Sequence, residues 1–287
     1  MAASPRKDTR RYREFACCFW SKALQIGMSE IEATANAREL EQEFWSCVDA
    51  SVAEAPRESR PGATNNRKRD GQPARATTMR IVLISDTHGL HHQLDLPDGD
   101  LLVHAGDFTL NSKPPSVVSD FNAWLASLPH LHKVVVPGNH EFILEEPRNR
   151  GAIANAILLI DSGVEIEGLR IWGSPVTPLY GGAFGKSNPE DRKRHWAQIP
   201  EGLDILITHG PPFAMLDHGL PSEGREGCPQ LLEAVFRVTP RVHVFGHVHA
   251  AHGTLRMADT LFVNASLLGE DGTLGREPIV IDFEVRG

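Results

Sequence analysis

The stretch RIVLISDTHG, Arg80 to Gly89, sets four large apolar side chains in a row, Ile81 to Ile84, and follows them at once with Ser85, Asp86, Thr87 and His88. A short unbroken apolar run lacks the alternation of a half-exposed strand, so it reads as a strand buried on both faces. The polar cluster beyond it stands where open α/β sheets place their ligand sites. The same grammar recurs along the chain: LLVHA runs into GDF, KVVVP into GNHE, LDILIT into HGPP and RVHVF into GHVH. LRIWGSP, TLFVNAS and PIVIDFEV are three further strand-like runs. Between them VVSDFNAWLASL and CPQLLEAVFRV carry apolar residues at helical spacing, Phe121, Trp124, Leu125 and Leu128 in one and Leu231, Leu232, Val235 and Phe236 in the other. Alternating strands and helices predict an α/β fold of sheets layered with helices.

The polar ends of these runs supply Asp86 and His88, Asp107, Asn139 and His140, His209, and His247 and His249. No cysteine is among them. Mixed imidazole and oxygen donors suit Zn, Fe or Mn at a catalytic centre and speak against a closed structural zinc site. The stretch VFGHVHAAHG raises the HxHxDH zinc signature as a rival, but that pattern needs an aspartate where Ala251 stands. The other histidines read as structural: His243 belongs to a core strand, His130 and His132 flank a loop, and His91 and His92 face solvent. His104 sits beside the ligand positions as an orienting partner. His252 either lines the site or packs in a loop. Cys228 reads as a small packed residue, Tyr180 and Phe184 as filler in a loop, and the run Arg192, Lys193, Arg194 as solvated charge.

Residues 1–78 have a different character. Positions 29–50 carry Ile31, Leu40, Phe44 and Trp45 on a helical period, and positions 55–78 have the Pro, Gly, Asn and Arg composition of a linker. The expected division is therefore an N-terminal extension, 1–78, and a domain, 79–287. The extension holds 13 Lys and Arg against 11 Asp and Glu, whereas the domain holds 16 against 26 and all 14 histidines. An acidic body argues against a nucleic-acid polymer as partner. Apolar runs such as RIVLIS fall far short of the ~18 residues of a membrane span, and the charged start MAASPRKDTRRYREF is unlike a secretory signal, so a cytoplasmic protein is expected. The four cysteines form no CxxC pair and read as reduced thiols.

Taken in order, DTH, GDF, GNHE, THG and GHVH resemble the calcineurin-like metallophosphoesterase superfamily. The stretches HAGDFT, FNAWLASLP, GNHE, LRIWGSP, IPEGLDILITHGPP, PRVHVFGH, FVNAS and PIVID narrow the resemblance to its metallophosphoesterase-domain-containing branch, across nearly all of residues 79–287. The segment after GNHE is shorter here than in that branch. The resemblance implies a four-layer αββα sandwich of two mixed β-sheets flanked by helices. It implies that Asp86, His88 and His249 hold one divalent ion, that Asn139, His209 and His247 hold a second, and that Asp107 bridges both. The ions, Mn, Fe or Zn, would share a hydroxide that attacks phosphorus, and His140 would protonate the leaving oxygen. The implied activity is that of a dinuclear phosphohydrolase, a phosphodiesterase on small phosphodiesters or cyclic nucleotides, with no membrane partner. A non-catalytic scaffold of the same fold that binds a protein partner is the alternative. Lost ligands would mark it, and all seven ligand positions and His140 are present.

Overall fold

The structure is a computed structural model that describes residues 77–178, 181–219 and 224–285. The helix read at 29–50 and the linker up to residue 76 lie outside the described residues, as does Tyr180. In chain order the main elements are β1 (Thr77–Ile84), β2 (Leu101–His104), α1 (Ser116–Ser127), β3 (His132–Val135), β4 (Ile157–Leu158), β5 (Ser162–Ile166), β6 (Leu169–Ser174), α2 (Pro189–Trp196), β7 (Ile205–Thr208), α3 (Pro229–Val238), β8 (Val242–Phe245), β9 (Gly253–Met257), β10 (Thr260–Asn264) and β11 (Ile279–Val285). They form a five-stranded sheet in the order β11-β1-β2-β3-β4 and a six-stranded sheet in the order β5-β6-β7-β8-β10-β9. Both are mixed: β1 to β4 run parallel with β11 antiparallel at one edge, and β6, β7, β8 and β10 run parallel with β5 and β9 antiparallel at the two edges.

Side chains on a strand alternate between faces, so each fully buried run must fill two layers at once. Ile81 and Leu83 of β1 join Leu101, Val103, Val134 and Val136 in packing against Ile171, Ile205, Ile207, Val244 and Val263 of the other sheet. The intervening Val82 and Ile84, with Leu102 and Val135, pack instead against Val118, Phe121, Trp124 and Leu125 of α1. Each such side chain contributes roughly 1.5–3 kcal/mol by leaving water, so the inter-sheet layer fixes how the two sheets meet. On the other side, α2 and α3 touch one another, and Arg237 of α3 donates to the carbonyls of Trp196 (3.1 Å) and Ile199 (2.9 Å). Helix, sheet, sheet and helix pair make the four-layer α/β sandwich that the resemblance implies.

Helix ends follow local chemistry. Asn188 caps α2 by accepting from the Glu190 amide at 2.8 Å, with Pro189 in the first turn, where its missing N–H costs nothing. α1 stops at Leu128, held extended by the following Pro129. Three strands escape the search for unbroken apolar runs, and their burial explains why. β5 and β9 are edge strands that alternate between exposed and half-buried residues, apart from the buried Ile166 at the end of β5, and β4 has only two residues. Thr77 and Thr78, read as the end of the linker, are already in β1 and pair with Val285 and Glu284 of β11. No helix among the described residues is long and apolar enough to cross a membrane.

Candidate metal centre

The carboxyl ends of five strands converge at one place, where His88, Asp107, Asn139, His140, His247 and His249 line a cavity of about 510 Å³ and Asp86 and His209 are fully buried. Asp86 and His88 follow β1, Asp107 follows β2, Asn139 and His140 follow β3, His209 follows β7, and His247 and His249 follow β8. The turns that aim them inward are sharp. Asp86, His88, Asp107 and His247 take φ values of 54°, 42°, 55° and 69°, a left-handed region that costs a side-chain-bearing residue about 1–3 kcal/mol. Hydrogen bonds between neighbouring loops hold them there: Asp86 N to Gly106 O (2.9 Å), His88 N to Asp107 O (3.0 Å) and Gly89 N to Phe108 O (2.9 Å). Glycine is required at two close approaches. A Cβ on Gly138 would collide with Asp107 Oδ1, and one on Gly246 with Asp86 Oδ2.

Asp107 is the hub. Its Oδ2 lies 3.2 Å from His209 Nε2 and 3.9 Å from the Nε2 of both His88 and His140, while Oδ1 accepts the His140 amide at 2.9 Å. Asn139 Oδ1 is 2.9 Å from His209 Nε2. Asp86 Oδ1 is 3.6 Å from His249 Nε2, and the His247 amide donates to its carboxylate at 3.0 Å. Donor atoms cluster within 4.8 Å of one another in three groups: Asp86, His88 and His249; Asp107, His209 and His247; and His88, Asp107 and His140. The groups share His88 and Asp107. All eight residues singled out in the sequence are thus brought together.

The rings are oriented as a metal centre requires. A carbonyl only accepts, so a ring nitrogen facing one must carry the proton. Nδ1 faces Thr109 O in His88 (3.2 Å), Ala105 O in His209 (2.9 Å) and Leu110 O in His140. In the neutral ring this leaves the Nε2 lone pair turned toward the carboxylates, the tautomer a metal ligand needs. Burial works against charge on Asp86, yet the bond to His249 and the charges of His209, His249 and His88 outweigh it and hold the carboxyl well below the usual range. Burial likewise opposes charge on Asp107, and the His209 charge and hydrogen bond overcome it. For His209, burial is outweighed by Asp107 and Asp86, and its pKa is pushed up to about 9. Burial, reinforced by the His209 charge, pushes His247 down to about 4. Two buried, ionised carboxylates beside imidazoles fit a pair of divalent ions, whose binding would displace the proton that His209 holds toward Asp107.

One residue of this region escapes the sequence reading. Glu141, fully buried, accepts from the amides of Gly138 (2.7 Å), Asp107 (2.9 Å) and Thr109 (2.9 Å) and from the Thr109 hydroxyl (2.8 Å). Burial and the Asp107 charge together push its pKa up to about 7. Its place directly after Asn139 and His140 is the signal that could have found it, since a carboxylate there can tie the β2 and β3 loops together. His104 takes the orienting place expected of it, with Nε2 3.1 Å from Thr87 Oγ1 and Nδ1 accepting the Gly106 amide at 3.3 Å; burial pushes its pKa down to about 3. His252 packs in its loop on Ser266 O at 2.8 Å. His243 is in the core, 2.8 Å from Thr208 Oγ1. Two readings need correction. His91 is buried against Phe121 and Trp124, since the turn that carries it folds onto α1. Arg192 is also buried, bonded to Gln230 Oε1 and to the carbonyls of Lys186 and Ser187.

The family model for calcineurin-like phosphoesterases matches residues 79–251, which include every residue of the cluster. The chain belongs to the calcineurin-like phosphoesterase family. Among curated relatives, UPF0046 protein K07C11.7 of Caenorhabditis elegans is 35% identical over 257 residues, covering 84% of this chain and 86% of the relative. Metallophosphoesterase domain-containing protein 1 of Homo sapiens is 40% identical over 231 residues, 71% of each chain. A crystal structure at 15% identity superposes with a TM-score of 0.51 over 66% of this chain and 90% of the solved one, a likeness of fold alone.

Proposed function

We propose that this member of the family is a dinuclear metal-dependent phosphodiesterase that acts on small phosphodiesters or cyclic nucleotides in the cytoplasm. The reading is carried by the convergence on Asp107 of donors from five strand ends. Asp86, His88 and His249 would hold one ion, Asn139, His209 and His247 the other, and Asp107 both. Bound there, two divalent ions of Mn, Fe or Zn supply the acidity that readies water for attack near neutral pH and positive charge opposite the phosphoryl oxygens.

The chain's own residues do the rest. Asp107 is held by the backbone of His140, so its two oxygens keep fixed directions. His140 lines the cavity and is about a third exposed, with Nδ1 anchored on Leu110 O and Nε2 free to carry a proton to the leaving oxygen. Leu90, Leu110 and Leu268 line the same cavity, and no lysine or arginine is among the described residues lining it. The ions would meet the charge of either ester, and the leucines offer apolar surface to the second ester group that only a diester carries.

The test compares bis-p-nitrophenyl phosphate with p-nitrophenyl phosphate, with Mn(II) and after chelation. The account expects metal-dependent hydrolysis that favours the diester and disappears on chelation. Absence of metal-dependent hydrolysis would instead support a scaffold role.

A further inference from the structure

Outside the central cavity the described residues hold one more group of metal-ligating side chains, His91, His92 and Asp120. The two histidines stand on a single 3-10 turn, His91–Gln93, where successive residues point about 120° apart. Here both rings nevertheless turn to one atom. His91 Nε2 lies 3.1 Å and His92 Nε2 3.0 Å from Oδ2 of Asp120 on α1, and the ring centroids are 4.5 Å apart. His91 is locked in place by Phe121 and Trp124, whose ring centroids lie 5.3 and 5.2 Å away. The His92 and Asp120 side chains are 57% and 55% exposed, which gives an ion an entry path and room for a solvent ligand.

We propose that His91, His92 and Asp120 form a separate, open three-ligand site for a divalent ion of the zinc class. A tetrahedral ion about 2.0–2.1 Å from each donor sets its donors roughly 3.3 Å apart, close to both observed N···O separations. Two imidazoles and a carboxylate favour zinc, cobalt or nickel over magnesium or calcium. The turn begins three residues beyond His88, so an ion here ties the segment after the Asp86 and His88 loop to α1. The site shares no residue with the central groups.

The test uses the full chain as wild type, His92→Ala and Asp120→Asn, each stripped with chelator and titrated with Co(II) and with Zn(II). Bound ions are counted by equilibrium dialysis and elemental analysis, and Co(II) ligation is followed by visible absorption. The wild type should hold one ion per chain more than either variant, and its zinc-dependent rise in Tm should be smaller in both variants. Turnover on bis-p-nitrophenyl phosphate should persist in the variants. Equal counts, spectra and Tm responses in all three proteins would overturn the proposal and leave the cluster as two ring N–H groups donating to one carboxylate. Failure of the central site to bind would lower all three counts together and leave the difference of one, so the two readings fail separately.

Discussion

The first sheet brings to the cluster Asp86, Asp107 and Asn139 as well as His88 and His140, whereas the second brings three histidines, His209, His247 and His249. All the oxygen donors and both carboxylate charges come from one sheet, and the other contributes imidazoles alone. The halves are joined by bonds that cross from sheet to sheet: His209 Nδ1 to Ala105 O at 2.9 Å, the His247 amide to Asp86, and the bridge between Ser85 and Ser266. The difference teaches that the inter-sheet packing of Ile81, Leu83, Ile207 and Val244 is what brings opposite chemistries into register.

The most severe way to break this division of labour is to remove charge from the first sheet. Asp107→Asn keeps an oxygen for the His140 amide but loses the charge assigned to both ions, and kcat/KM should fall about 1,000-fold or more. Steady-state kinetics with saturating Mn(II), beside a thermal melt that shows a folded protein, checks it; wild-type turnover would remove Asp107 from the bridging role. His140→Ala tests the proton donor of the same sheet. A loss of about 100-fold is expected, larger for substrates with poor alcohol leaving groups than for p-nitrophenyl esters. A loss independent of the leaving group would contradict the assignment. The gentlest change is Glu141→Gln, which keeps the shape but weakens four hydrogen bonds that tie the β2 and β3 loops. It should reduce metal affinity by about 10-fold and stability by about 1–3 kcal/mol, measured by metal titration and denaturant melts. A full-affinity variant would show that the loops hold their geometry without it.

Much of this architecture is legible in the residues. The unbroken runs at Ile81 to Ile84 and Ile205 to Thr208 announce central strands because both of their faces are buried, and the cavity donors follow directly because each sits just past such a run. Edge strands are harder: Ser162–Ile166 and Gly253–Met257 have one wet face and no strong apolar signal. Long-range packing is not written in local pattern either. His91 and His92 look alike in sequence, yet α1 covers the first and leaves the second open, and Arg192 is buried while Lys193 and Arg194 beside it are exposed. Glu141 was hidden for a related reason, since three of its four donors come from Thr109 and Asp107, more than 30 residues earlier in the chain.

The central claim is that donors from two sheets gather around Asp107 to hold two cations, and anomalous diffraction from crystals grown with Mn(II) tests it most directly. The account predicts two peaks in the cavity, one contacting Asp86, His88 and His249, the other Asn139, His209 and His247, with an Asp107 oxygen bound to both. A single peak there, or two ions that Asp107 does not touch, would contradict it.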